Sequence, residues 1–286
     1  MSIQTSDFSA LTDDLQSIFN EVAKTTTAEL VGNKIFKIKD TDRKTYDHLI
    51  LHGLDVIRRV AEGADLPSTT VVQGDSVTWT QSRYGGIVSV TKDMRMFDLY
   101  DQIESIVRSA TEDAFYKIDQ SFADVLLNGF SASNYTDVYG ASVTATGPDG
   151  VCLFSASHTN NLNANTFRNL IYYSTENPAL SREAVVETIK NGRIHKDPTE
   201  HSRPIKLDVL LVAPSKEDEA LRIINTEKLP GEFINDTNMY LNGKIKVQVW
   251  EKLETRSDGT DTSAYWFINL KKALFGNAFI QCTSLI

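Results

Sequence analysis

The sequence predicts an α+β fold, and three stretches carry that reading. IVSVTKDMRMFDLYDQIESI, residues 87–106, changes rhythm in the middle: Ile87, Val88 and Val90 are strand-like, and from Leu99 onward the apolar residues fall three and four apart. IKLDVLLVAP, 205–214, is a nearly continuous apolar strand, which predicts burial on both faces. KIKVQVWEKL alternates at Ile245, Val247 and Val249, the period of a strand with one covered face.

The elements follow in order. Near the N-terminus Phe8, Leu11, Leu15, Ile18, Phe19 and Val22 share one helical face, and TTTAEL ends the pattern. Such a helix serves either as a core element or as an arm packed on a neighbour. YDHLILHGLDVIRRVAE, 46–62, holds a short mixed helical pattern. In GADLPSTTVVQGDSVTWTQSRYGGIVSV, Val77 and Trp79 alternate with polar residues, and QSRYGG reads as the turn of a long hairpin returning through Ile87–Val90. A hairpin alone is marginally stable in water, so it must rest on something else.

The long helix comes next, with Asp98 as N-cap and Asp101 in the capping-box position. Leu99, Ile103, Ile106, Val107, Ala110, Ala114, Ile118, Phe122 and Val125 form its apolar stripe, and Gly129 is the expected stop. Steps of four make the stripe drift, so its two ends should face different neighbours. At about 30 residues it spans roughly 45 Å, against about 11–12 residues for a typical helix. On this reading Ile106→Asp prevents folding, because it buries an unpaired charge. Residues 131–180 are polar and turn-rich. Ser181 opens a helix through Asn191, and Ser215-Lys-Glu-Asp218 opens another through Ile224. SAYWFINL and the closing AFIQCTSLI read as further strands.

The chain has 286 residues, 41% hydrophobic and 23% charged, with a formal net charge of -9, enough for one large domain or two. The acidic balance opposes a basic nucleic-acid clamp and does not exclude a protein that encloses nucleic acid and must avoid sticking to it. Two distant cysteines, Cys152 and Cys282, fit a reducing compartment. The first basic residue is Lys24, so no charged signal-peptide start is read, and no apolar run is long enough to span a membrane.

Chemistry-bearing patterns are sparse. His48 and His52 would share a helical face as zinc ligands can, yet no third ligand is evident beyond Asp55. His195 and His201 match no ligand spacing. Cys152 precedes His158 in VCLFSASH, where a small buried hydrophobe is the commoner role. There is no G-x-S-x-G, no P-loop and no G-x-G-x-x-G. No catalytic, cofactor-binding or metal residue is therefore assigned. Trp79, Arg83 and Tyr84, on a protruding element, have the composition of a protein interface, and Phe8, Leu11 and Leu15 are the matching candidates on the N-terminal helix.

Four stretches, in order, resemble the tailed-phage major capsid proteins of the Hong Kong 97 type. YGGIVSVTKDMRMFDLYDQI is similar to the return strand of the extended loop entering the spine helix, and VCLFSASHTNNL to the segment after that helix. LDVLLVAPSKEDEALRIIN resembles the strand and helix of the axial domain, and GKIKVQVWEKL the strand that follows. The resemblance covers most of the chain. It implies an α+β Hong Kong 97-like fold with an N-terminal arm (1–45), an extended β-hairpin loop region (46–96), a peripheral domain with the spine helix (97–180), an axial α/β domain (181–242) and closing strands shared between the two (243–286).

The resemblance also implies a structural virion protein, not an enzyme and without cofactors. Copies would form hexamers and pentamers of an icosahedral shell around double-stranded DNA held without sequence-specific binding. Assembly would take place in the host cytoplasm, without a membrane, beside a separate scaffolding protein and a portal. No lysine lies between Ala64 and Thr91, so the namesake's loop cross-link is not expected. No long charged helical extension is read at the N-terminus, so maturation should not need removal of a large N-terminal piece. The alternatives are an encapsulin-like cargo shell, which shares the fold, and a cytosolic enzyme using Cys152 with His158 or the His48/His52 pair.

Overall fold

The computed structural model of the protein describes residues 5–36, 41–51, 59–63, 65, 73–87, 89, 91, 93, 97, 100–144, 146–159, 166–167, 179–196, 202, 204–225 and 245–269. Asp98, Leu99 and the closing AFIQCTSLI lie outside them.

Helix α1 (Thr5–Glu29) runs through the TTT expected to end it. Thr25 returns its hydroxyl to the Glu21 carbonyl at 3.1 Å and Thr26 is buried, so packing outweighs weak helix propensity. The helix lies along the long helix of its own chain, with Val22 buried. Its second half is therefore a core element. A single turn, α2 (Gly32–Ile35), follows.

Residues 46–51 are not helical. Strand β1 (Thr45–Leu51) pairs antiparallel with β2 (Gln73–Thr80), with Tyr46 opposite Trp79 and His48 opposite Val77. The Tyr46 and Trp79 rings stack at 5.7 Å, and Thr78 Oγ1 donates to Asp47 Oδ1 at 2.5 Å. Cross-strand pairs of this kind outweigh the short helical pattern. The return strand of the expected hairpin, residues 87–90, lies partly outside the described residues, and the QSRYGG segment itself carries no strand. Residues 81–87 carry no strand, Gly85 and Gly86 have open space around them, and Ile87 is 93% exposed. Val88 and Val90 lie outside the described residues.

Helix α3 (Tyr100–Asn128) has the predicted extent, but burial along it is uneven. Ile103 is buried, whereas Ile106 is 42% exposed and Ala110 and Ala114 face solvent. From Ile118 onward the residues are largely buried. The stripe does drift, and only its second half meets the sheet. Ile106→Asp therefore no longer threatens folding. Gly129 ends the helix by admitting a neighbour: a Cβ there would sit 2.8 Å from the Phe154 ring.

The polar stretch that follows folds into tight turns. β3 (Tyr135–Thr136) pairs with β4 (Ser142–Val143), and β5 (His158–Thr159) with β6 (Thr166–Phe167). Asp137 Oδ1 accepts from the Tyr139 and Ala141 amides, with Gly140 at φ 81°. Helix α4 (Arg182–Arg193) starts as predicted, Ser181 Oγ accepting from the Ala184 amide at 3.2 Å.

The final layer is a three-stranded sheet. β7 (Val209–Val212) is central, parallel to β8 (Lys246–Val249) and antiparallel to β9 (Trp266–Asn269). Helix α5 (Glu217–Asn225), entered through a 3-10 turn at Pro214, crosses from β7 to β8. β7 is buried on both faces. Leu210 and Val212 meet Val185 and Ile189 of α4 and Ala220 and Ile224 of α5. Leu211 and Ala213 meet Phe122, Ala123, Leu126 and Leu127 of α3, with Trp250 and Leu253.

One carboxylate ties three elements of the second core. Asp119 of α3, 5% exposed, accepts from the Gly32 amide at 2.8 Å and from Trp250 Nε1–H at 2.7 Å. Phe36 stacks on Phe122 beside it, with ring centroids 4.9 Å apart. The approach needs a glycine, because a Cβ at Gly32 would sit 2.4 Å from Phe122 Cδ2. We expect Gly32→Ala to lower the stability of the isolated subunit by roughly 1–3 kcal/mol, the usual range for overpacking. Gly85→Ala, in open space, should leave it unchanged. Denaturant unfolding of both variants checks this, and a Gly32→Ala midpoint equal to wild type would refute the close fit.

Candidate functional site

Of the residues considered for catalysis, Cys152 and His158 bond to groups of their own loop. Cys152 Sγ donates to the Phe154 carbonyl at 3.2 Å. His158 is buried, its Nδ1 2.7 Å from Asp149 Oδ2 and its Nε2 3.3 Å from the Leu153 carbonyl. Both partners are acceptors, so the ring fastens the 146–159 loop to itself. His48 lies on β1, where the helical-face premise fails, and His52 lies outside the described residues. Among the described residues no group of three or more His, Cys, Asp or Glu side chains is arranged to hold a metal ion. No described helix is long and apolar enough to cross a membrane.

The interface candidates divide. Phe8 and Leu11 lie on α1, but their side chains are outside the described residues, and Leu15 is half-buried. Trp79 is half-buried against Tyr46, while Arg83 and Tyr84 are exposed. Tyr84 stacks on Tyr139 at 4.3 Å, so the segment leaving β2 touches the β3–β4 turn of its own chain. Among the described residues the most exposed large apolar side chains are Ile87, Phe97 at 73% and Ile194, none of them an interface candidate from the sequence. Ile106 and Tyr116 add exposed apolar surface on α3. A run of Ala at 110 and 114 beside Ile106 was the available signal, since small residues on a long stripe leave room for another body.

A second feature is a strap formed by residues 254–262. Thr255 bridges Asp261, Arg256 N–H donates to the Thr260 carbonyl, and Gly259 turns the chain at φ 84°. Leu253 and Thr262, at its root, are buried. The strap meets three successive turns of one α3 face. Gln120 Nε2 donates to the Thr255 carbonyl at 3.4 Å, the Ser257 amide to Asp124 Oδ1 at 3.1 Å, and Arg256 Nη2 to the Leu127 carbonyl at 3.3 Å. Ser257 Oγ also donates to the Thr136 carbonyl at 3.2 Å, joining the strap to β3. Burial pushes the Asp124 carboxyl above its ordinary range, opposed by hydrogen bonds from Gln120 and Ser257 and by the Arg256 charge.

The chain was compared with known proteins. A family model described as phage capsid protein matches residues 74–281. A chain of the bacteriophage JBD30 procapsid is similar in structure, with a TM-score of 0.52, 15% identity, 88% of this chain covered and 100% of that one. A chain of the bacteriophage JBD30 capsid gives a TM-score of 0.55 at 10% identity, covering 78% of this chain and 90% of that one. No curated protein sequence matches.

The raised Asp124 carboxyl has a defined sign. It holds its proton to higher pH in the fold than in the unfolded chain, so its contribution favours folding below its ordinary value of 3.8 and is lost as pH rises through the folded-state value. Asp124→Asn should therefore stabilise the isolated subunit at pH 7, with the difference from wild type shrinking toward pH 3.8. Urea unfolding across this range checks it, and a difference that does not change with pH would contradict it.

Proposed function

The chain belongs to the phage capsid protein family, and from that premise we propose how its parts build a shell. It is a major capsid subunit, a structural protein of the virion's head. The observation that carries this is the family match over residues 74–281, which takes in nearly all of β2, the long helix, the sheet and the helices packed on it.

The finer reading is ours. The fold is of the Hong Kong 97 type. α3 is its spine, β1–β2 belongs to the extended loop region of 46–96, and the sheet with α4 and α5 forms the axial part. Copies close head-to-tail into hexamers and pentamers, since such contacts make rings by rotation. The icosahedral shell encloses double-stranded DNA without reading its sequence, and assembles in the host cytoplasm around a separate scaffolding protein, with a portal at one vertex. The acidic balance supports a wall that does not hold packed DNA.

The role is mechanical, and no reaction is assigned to the chain. The bonded state of Cys152 and His158 supports this. Exposed apolar side chains support the assembly reading: Ile87 and Phe97 flank the approach to α3, and Ile106 and Tyr116 lie on it. Many such contacts, each worth about 25 cal/mol per Å2 of apolar area, give strength in sum while letting misplaced copies leave.

Negative-stain microscopy of the expressed chain, with scaffold if needed, should show shells, tubes or capsomers. A monomer under every assembly condition would overturn the reading. Deleting residues 80–86 removes the Thr45–Thr80 end of the β1–β2 pair, the Gln81 bonds to Lys44 and Thr41 and the Tyr84–Tyr139 stack but no residue of the two cores, so the subunit should still fold yet form no stable shells. Ile106→Asp should behave alike, with unchanged circular dichroism and lost particles. Normal particles from both variants would remove the bridging role.

A further inference from the structure

Arg256 and Asp124 meet across the strap without pairing. Helix α3 has no basic residue in its own last turn. Arg256 supplies that charge from 129 positions away, its Nη2 on the Leu127 carbonyl. A cation there suits the partial negative charge of a helix C-terminus. Its Nη1 lies 3.6 Å from Asp258 Oδ2, and its Nε is buried without a hydrogen-bond partner.

One turn back along α3, Asp124 is fully buried. Oδ1 accepts from Gln120 Nε2 and from the Ser257 amide, each at 3.1 Å, while Oδ2 has no partner. A buried donor and a buried acceptor of opposite charge thus stand unsatisfied on residues whose neighbourhood Ser257 already joins. Unmatched buried polar groups are costly, and a charge-assisted bond between these two would relieve both.

We propose that the strap has a second, tighter seat on α3, in which Arg256 Nε–H donates to Asp124 Oδ2, and that assembly into the shell selects it. The inference rests on the capsid reading above. In the seat described here Arg256 is committed to the helix-end carbonyl. In the second it turns toward the carboxylate and draws residues 254–262 onto the helix. The strap's turn, residues 257–261, is exposed, so a neighbouring copy can bear on it directly. That contact supplies the differential affinity that any shift between two seats requires. Because Ser257 also holds Thr136 and the strap's root is buried, tightening moves the β3 turn and the sheet edge together with the end of α3.

The test is a double-mutant cycle run on shells and on the free subunit, using Asp124→Asn, Arg256→Gln and the pair. In shells each single substitution should speed disassembly about tenfold, and the pair about tenfold also, as expected for one shared charge-assisted bond. In the free subunit, where Arg256 acts on Asp124 through its charge without a shared bond, the coupling should be clearly weaker than in shells. Arg256→Lys keeps a cation for the helix end but lacks Nε–H, so it should match wild type when free and share the defect in shells. High-resolution microscopy of shells should place Arg256 Nε within hydrogen-bond distance of Asp124 Oδ2. Additive effects in shells would overturn the second seat, and equal coupling in the free subunit would show a fixed pair instead. A wild-type chain that forms no particles would overturn the capsid reading as well, whereas particles with uncoupled variants would sink this inference alone.

Discussion

Asp119 faces two donors that cannot reach water. The Gly32 amide follows α1 in sequence, and Trp250 Nε1 follows β8, so one carboxylate on α3 joins the start of the chain to its end. Its two bonds are short, and a charged acceptor makes each stronger than a neutral one. Around it Phe36 lies on Phe122, and Trp250 fills the space between the helix and the sheet. The junction sets the one polar point at which α1–α2, α3 and the sheet meet inside the core they share.

The sheet does the complementary work from the other side. β7 sends alternate residues into two cores, so a single four-residue strand separates the α4–α5 layer from the α3 layer. That explains its continuous apolar sequence, because neither face meets water. It also explains why the two layers share a fate: a polar residue anywhere in Val209–Val212 would disturb one core or the other.

Much of this could be read from the residues. The extent of α3, the caps of α4, the entry to α5 and the strands β7 to β9 each have a local signal, a period or a capping side chain, and each formed where that signal placed it. What failed depended on partners distant in sequence. The 46–51 segment became a strand because β2 offered Trp79 to Tyr46 across the pair. The exposure of Ile106 could not be separated from burial by spacing alone, since an apolar stripe looks the same whether its cover is the same chain or another. Asp119 and Asp124 had a faint signature. They sit beside the buried Phe122 and Leu126, and neither has a Lys or Arg three or four positions away. An acid on an apolar helix end without a local counter-charge must find its partners elsewhere, and here they came from residues 32, 250 and 257.

The uneven burial of α3 has a mechanical consequence. Its last three turns are gripped by the sheet and the strap, while its first 18 or so residues, roughly 27 Å of helix, extend past that grip in company with α1. The arrangement is a lever with its fulcrum near Asp119. Tilting the root by about 5° carries the far tip about 2 Å, the scale of a helix shift at a subunit interface. A side-chain rearrangement too small to see at the root would be read at the tip as a change of neighbour.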